Sequence, residues 1–170
     1  MADVGLLIAL SIINWLHLIA TVAWIGAMST NLFVLLPSIR ETLEPAIVGK
    51  LLGAVMRRFR RLVYSSIILL VFSGLVMTAL NRSYLGPLQF GNVWTQIILI
   101  KHVFIIALII LAVYALEVLA PKVAKMGAKG PSPELAKLQR LQMRLAWAGF
   151  ALGLVILLLT GVATAISALP

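Results

Sequence analysis

Four long apolar stretches constrain what this chain can fold into. They cover residues 6–36, 62–81, 95–120 and 145–169, and each can cross a hydrocarbon core of about 30 Å at about 1.5 Å of helical rise per residue. Hydrophobic residues make up 62% of the 170 residues and charged residues only 11%, which excludes an ordinary water-soluble domain. The sequence therefore predicts one all-α transmembrane domain over residues 1–170, an up-down-up-down four-helix bundle.

The composition also limits the chemistry. The chain contains no cysteine, which excludes disulfides, thiolate metal sites, iron–sulfur clusters and thiol nucleophiles. Four spans and their loops use the whole length, so a function must lie inside the bundle. Redox chemistry in such a bundle would need a bound cofactor.

The basic residues predict the orientation in the membrane. The formal net charge is +9, and twelve of the fourteen Lys and Arg residues lie in the first and third loops. Because short cytoplasmic loops carry the excess of Lys and Arg, we expect these loops inside and both termini outside, in the inner membrane of a prokaryotic cell. The expected partner is thus the lipid bilayer, and the charge requires no nucleic acid. We call the end with these two loops the basic end.

Local signals predict where the helices stop. Pro37 and Pro121 are expected to close helices 1 and 3 at the basic end. Residues 46–61 have apolar residues at helical spacing with basic residues between them. This segment is expected to lie on the membrane surface or to extend helix 2.

The two halves of the chain resemble each other. Residues 73–78 match residues 160–165 at an offset of 87, His17 and His102 are 85 apart, and Pro37 and Pro121 are 84 apart. These offsets predict two helical hairpins related by a pseudo-two-fold axis along the membrane normal. Chance similarity between apolar helices is the alternative.

His17 and His102, the two histidines of the chain, are predicted to lie at one depth. They precede their prolines by 20 and 19 residues, so their depths differ by about 1.5 Å. Helices 1 and 3 are diagonal in such a bundle, and both rings can face its axis. We predict that they ligate the iron of haem b, for electron transfer or redox chemistry with a quinone or another redox protein. The alternative is that each histidine only hydrogen-bonds a neighbouring helix.

Glycines and a methionine are predicted to make room for this haem. Gly74 and Gly161 hold equivalent positions in the repeat and can leave space for the macrocycle, with Met77 packing its face. Close helix packing is the alternative for both glycines. The small-residue motif Gly149-x3-Gly153 can serve either the bundle or a homodimer.

Three other side chains are predicted near the same level. Trp24 follows His17 by seven residues on one helix face, where it can line the cavity or fill the core. Lys101 and Arg82 can pair with the haem propionates. Lys101 can alternatively extend to the outer interface.

Several segments together resemble a known family. They are His17-x6-Trp24-x-Gly26, the run Met-Arg-Arg-Phe-Arg-Arg at 56–61, Ser-Gly-Leu-Val-Met at 73–77, and Lys101-His102. They resemble the copper-resistance CopD domain and the related four-helix membrane protoporphyrinogen oxidases. The CopD resemblance implies a copper transport or resistance protein, with copper in place of haem and Met77 near the histidines. The oxidase resemblance implies a haem-dependent protoporphyrinogen oxidase, with His17 and Lys101 at family positions.

Overall fold

The computed structural model describes residues 4–42, 45–81, 84, 86 and 91–168. These residues contain four helices long and apolar enough to cross a membrane, at Val4–Ile39, Gly53–Ala79, Val93–Gly127 and Pro133–Ala168. No strand occurs in this described part of the chain. The predicted all-α integral membrane fold is confirmed.

The helices extend beyond the apolar stretches at the basic end. Helix 1 comprises Val4–Ser29, a π-helical segment Thr30–Leu35 and Leu36–Thr42; helix 2 is Pro45–Ala79; helix 3 comprises Val93–Val113, a π-helical segment Tyr114–Leu119 and Ala120–Gly127; helix 4 is Pro133–Ala168. Residues 46–61 therefore extend helix 2. A hydropathy pattern shows where a helix meets lipid, whereas backbone hydrogen bonds can continue it into the charged interface.

Helices 1 and 3 continue past Pro37 and Pro121, so the prediction that these prolines close them is wrong. In each helix a π-helical segment ends two residues before the proline. A proline ring lacks an N–H and clashes with the carbonyl four residues earlier. The wider π turn shifts the hydrogen-bond pattern by one residue and accommodates that clash. The two π-helical segments begin 84 residues apart, the same offset as the two prolines.

Helix pairs 1–2 and 3–4 form the main packing contacts, and helix 4 also contacts helix 1. Buried glycines allow this last approach. A Cβ on Gly153 would lie 2.7 Å from Cδ1 of Ile25, and one on Gly149 would lie 3.2 Å from Cε of Met28. The Gly149-x3-Gly153 motif therefore packs helix 4 within the bundle.

Glu117 connects helix 3 to helix 2 near the basic end. It accepts a hydrogen bond of 2.6 Å from the Tyr64 hydroxyl, and its Oε1 lies 3.1 Å from Nε of Arg60. The carboxylate belongs to the π-helical segment before Pro121. These contacts hold helices 2 and 3 together next to the point where helix 3 departs from α geometry.

The outer surface of the bundle is apolar. Large hydrophobic side chains such as Val22, Ile68 and Leu158 are about 70% exposed, at 71%, 70% and 68%. A soluble monomer rarely shows such a continuous apolar exterior. The exterior is that expected of helices whose backbone polar groups are satisfied internally and whose side chains face lipid.

Candidate functional site

A cavity of about 180 Å³ lies between the four helices and contains both histidines. We call it the histidine cavity. Its wall is mostly aliphatic, and its polar side chains are those of His17, Thr21, Thr78, Lys101, His102 and Thr160. An apolar cavity with a few converging polar groups is the usual form of a ligand site in a helical bundle. The structure thus brings together His17 and His102, as the proline spacing predicts.

A hydrogen bond fixes the ring of His17. Its Nδ1 lies 2.7 Å from Oγ of Ser73, a residue only 1% exposed. The serine hydroxyl has one hydrogen, which it donates to the carbonyl of Leu69 at 2.5 Å. Ser73 must therefore accept a hydrogen bond from Nδ1–H of His17. The neutral ring then keeps its lone pair on Nε2.

Gly74 gives this ring its space. A Cβ on Gly74 would lie 3.4 Å from Cε1 of His17, at the lower limit of ordinary van der Waals contact. The residue next to Ser73 is thus small where the imidazole approaches helix 2 closely. Gly74 thus lies against the imidazole of His17, and its predicted role beside a haem macrocycle stays a prediction.

A hydrogen bond within its own helix gives the ring of His102 the same tautomer. Its Nδ1 lies 2.7 Å from the carbonyl oxygen of Ile98. A carbonyl can only accept, so Nδ1 carries the proton and Nε2 keeps the lone pair. Metal-ligating histidines almost always donate their other ring N–H to a carbonyl, carboxylate or similar acceptor. Both imidazoles therefore have the hydrogen bonding of metal ligands.

The cavity provides no negative charge to a bound cation. No Asp or Glu lines it, whereas Lys101 does. Across residues 4–42, 45–81, 84, 86 and 91–168, no three His, Cys, Asp or Glu side chains group as a metal site. The cost of taking an ion out of water rises steeply with its charge. Two neutral imidazoles without a carboxylate thus suit a monovalent metal ion better than a divalent one.

The other predicted site residues divide into three groups. Trp24 and Lys101 line the histidine cavity with Gly74. Met77 is half-buried and Gly161 is exposed with open space around it; neither lines the cavity. Arg82 lies outside the described residues. Gly74 and Gly161, equivalent in the repeat, therefore have different surroundings.

A second cavity of about 80 Å³ lies toward the basic end. We call it the methionine cavity, because Met28 and Met56 line it, together with Asn31 and Gln142. Trp24 and Leu108 belong to the walls of both cavities. Sequence reasoning missed these methionines, since one comes from helix 1 and the other from helix 2.

Residues 53–163 match the family CopD, copper resistance protein D. The matched segment is about two thirds of the chain; it includes Lys101 and His102 and leaves out His17. No curated protein and no solved structure matches the chain. With its four apolar helices, the chain belongs to the copper resistance protein D family of membrane proteins.

Proposed function

We propose that this protein binds copper inside the membrane, between His17 and His102, as part of moving copper across the bilayer. The observation that carries the proposal is that both imidazoles line one cavity with the proton on Nδ1, which leaves the lone pair of each Nε2 available to a ligand. Imidazole is a good ligand for copper. The family of the chain supports copper over other metals that imidazole binds.

Copper(I) is the oxidation state that this donor set favours. The cavity wall contains Lys101 and no carboxylate, so the second charge of copper(II) would lack compensation. Copper(I) carries a single charge and accepts a low number of ligands. In this proposal copper is the cargo of the protein, and His17 and His102 release it again.

The test is a copper(I) titration of the purified protein in detergent, against a chromophoric copper(I) chelator. We expect His17→Ala and His102→Ala each to weaken binding by about tenfold or more, because loss of a ligand should cost at least as much as loss of the hydrogen-bond partner of a ligand. Asn14→Ala is the control, because Asn14 is exposed on helix 1 and outside the cavity. Wild-type affinity in both histidine variants would overturn the proposal.

Transport is tested separately in vesicles. Proteoliposomes with a copper(I)-sensitive dye trapped inside should show faster copper entry than protein-free vesicles, and His102→Ala should abolish the difference. Equal entry with and without protein would leave no role in transport. That result would contradict the transport step alone, since the titration measures binding.

Haem b between the same histidines is the second candidate, and Lys101 is the observation that favours it. A lysine beside two imidazoles suits a cofactor with acidic side groups. The cavity volume of about 180 Å³ is close to the roughly 150 Å³ of an engineered cavity that holds benzene. A porphyrin would therefore require the helices to move apart. For this reason we place copper first.

Lys101→Leu separates the two candidates, because it removes the amine from the cavity wall and introduces no atom that binds copper. Under the copper proposal the variant binds copper(I) more tightly, since a nearby cation is lost. Under the haem proposal it retains less haem. A reduced-minus-oxidised absorption spectrum of the purified wild type should lack haem bands, and a full haem complement would contradict the copper proposal.

Further features of the predicted function stay predictions. These are protoporphyrinogen oxidation, a quinone or redox-protein partner, a homodimer, an inner-membrane location and both termini outside. Labelling of single cysteines introduced near Lys129 and near the N-terminus would test the orientation, because the chain has no cysteine of its own.

A further inference from the structure

We propose that the methionine cavity is a second copper(I) position, with the thioether sulfurs of Met28 and Met56 as ligands. This inference rests on the proposed copper function and adds a site on the basic side of the histidines. The ion would move between imidazole and thioether ligands inside one bundle. Thioethers are soft ligands, which suit copper(I).

An unsatisfied amide oxygen in this cavity points to a cation. Asn31 is only 8% exposed, and its Oδ1 has no hydrogen-bond partner. Buried polar atoms without a partner are rare, because the lost hydrogen bond with water is not replaced. Asn31 lines the methionine cavity. A positive ion held there would be stabilised by the negative end of the amide dipole.

The packing of Met28 gives its sulfur a defined place. Its methyl carbon Cε approaches the position of a Gly149 Cβ to 3.2 Å, which only a glycine permits without adjustment. Gly149 is buried and lines the same cavity. Helix 4 thus confines the end of Met28 in the cavity wall. A free volume of about 80 Å³ is ample for an ion, since a water needs only about 10–15 Å³.

One face of helix 1 connects the two cavities. Trp24, Met28 and Asn31 follow His17 by 7, 11 and 14 residues, a spacing that places all four on one side of a helix. Trp24 of helix 1 and Leu108 of helix 3 border both cavities. Copper that moved between the imidazole and thioether positions would pass these two side chains.

The experiment measures copper(I) stoichiometry and copper X-ray absorption on the full-length purified protein. We expect about two copper(I) ions per wild-type chain and sulfur among their neighbours, as thioether ligation requires. The variant Met28→Leu/Met56→Leu should bind about one ion with nitrogen neighbours only, since Leu conserves volume and removes the sulfur. Met77→Leu is the control, because Met77 lines neither cavity, and it should behave as wild type.

The outcomes separate this inference from the proposed function. One ion with nitrogen neighbours in the wild type would overturn the methionine position and leave the histidine site standing. No copper binding in any variant would overturn the proposed function, and the inference with it. If Met77→Leu removed the sulfur signal instead, the assigned ligands would be wrong.

Asn31→Leu supplies an independent readout. Removing a buried, unpaired polar group should raise the melting temperature of the copper-free protein. The same variant should hold copper at the methionine cavity at least about tenfold more weakly, as loss of a supporting dipole next to a metal does. A variant with unchanged copper binding would show that Asn31 does not face the ion.

Discussion

Ser73→Ala tests the link between the fold and the proposed copper site most directly. Ser73 is the acceptor that keeps the proton of His17 on Nδ1, through a contact of 2.7 Å at a position 1% exposed to solvent. Alanine fills almost the same space and removes only the hydroxyl. The imidazole then loses the hydrogen bond that favours the tautomer with a free Nε2.

The size of the effect follows from the burial of the contact. A net hydrogen bond is worth about 0.5–1.5 kcal/mol, and leaving the buried N–H without an acceptor costs about 1–3 kcal/mol. In the variant His17 can relieve that cost by moving its proton or rotating, and both responses misplace the ligand nitrogen. We therefore expect copper(I) affinity to fall by about 10- to 100-fold, the usual effect of removing the hydrogen-bond partner of a metal ligand.

The assay is the chelator competition used for the histidine variants. Ser66→Ala is the matched control, because Ser66 is also a buried serine of helix 2, at 4% exposure, but lines neither cavity. It should lower stability without changing copper affinity. If Ser73→Ala and Ser66→Ala had the same affinity within about twofold, the hydrogen bond would not prepare His17 as a ligand.

Three further predictions concern the bundle itself. Gly153→Leu should lower stability by about 1–3 kcal/mol through overpacking. Gly161→Leu should not, because Gly161 faces open space. Thermal melting in detergent compares the two variants, and equal melting temperatures would show that Gly153 is not needed for the packing of helix 4 on helix 1. Tyr64→Phe removes the hydroxyl that donates to Glu117 and should lower stability by about 0.5–1.5 kcal/mol, measured in the same way; an unchanged melting temperature would show that this hydrogen bond does not stabilise the bundle. Pro37→Ala restores a backbone N–H, so the π-helical segment should become α-helical and its amide exchange slower; unchanged exchange over residues 30–36 would refute the proline as its cause.

The spans were predictable because lipid imposes a simple requirement, about 20 apolar residues per crossing. The helix ends at the basic end were not predictable in this way, since Lys and Arg residues continue the same backbone hydrogen bonds without apolar side chains. Pro37 shows the same gap between pattern and structure. The clash of its ring is evident from sequence. The sequence does not show whether the helix ends, kinks or adopts a π turn in response.

The candidate site was partly predictable. The common spacing of His17 and His102 from their prolines identifies one level of the bundle. Ser73 was part of a recognised repeat, yet its contact with His17 depends on how helix 2 is rotated against helix 1, which hydropathy does not determine. For the same reason the sequence could not show that Gly161, equivalent to Gly74 in the repeat, lies away from the cavity. Nor could hydropathy show that methionines from two helices, separated along the chain, line one cavity.

The paired π-helical segments have a mechanical consequence. Each holds one residue more than an α-helical turn would need, and returning it to α geometry would rotate everything beyond it by roughly 100° about the helix axis. In helix 1 the segment Thr30–Leu35 includes Asn31, and in helix 3 the segment Tyr114–Leu119 includes Glu117. A small change in backbone bonding at these two places would thus swing the basic ends of two helices while the histidines stay where they are. The bundle thus has two places where a helix can rotate about its axis, both on one side of the proposed copper site.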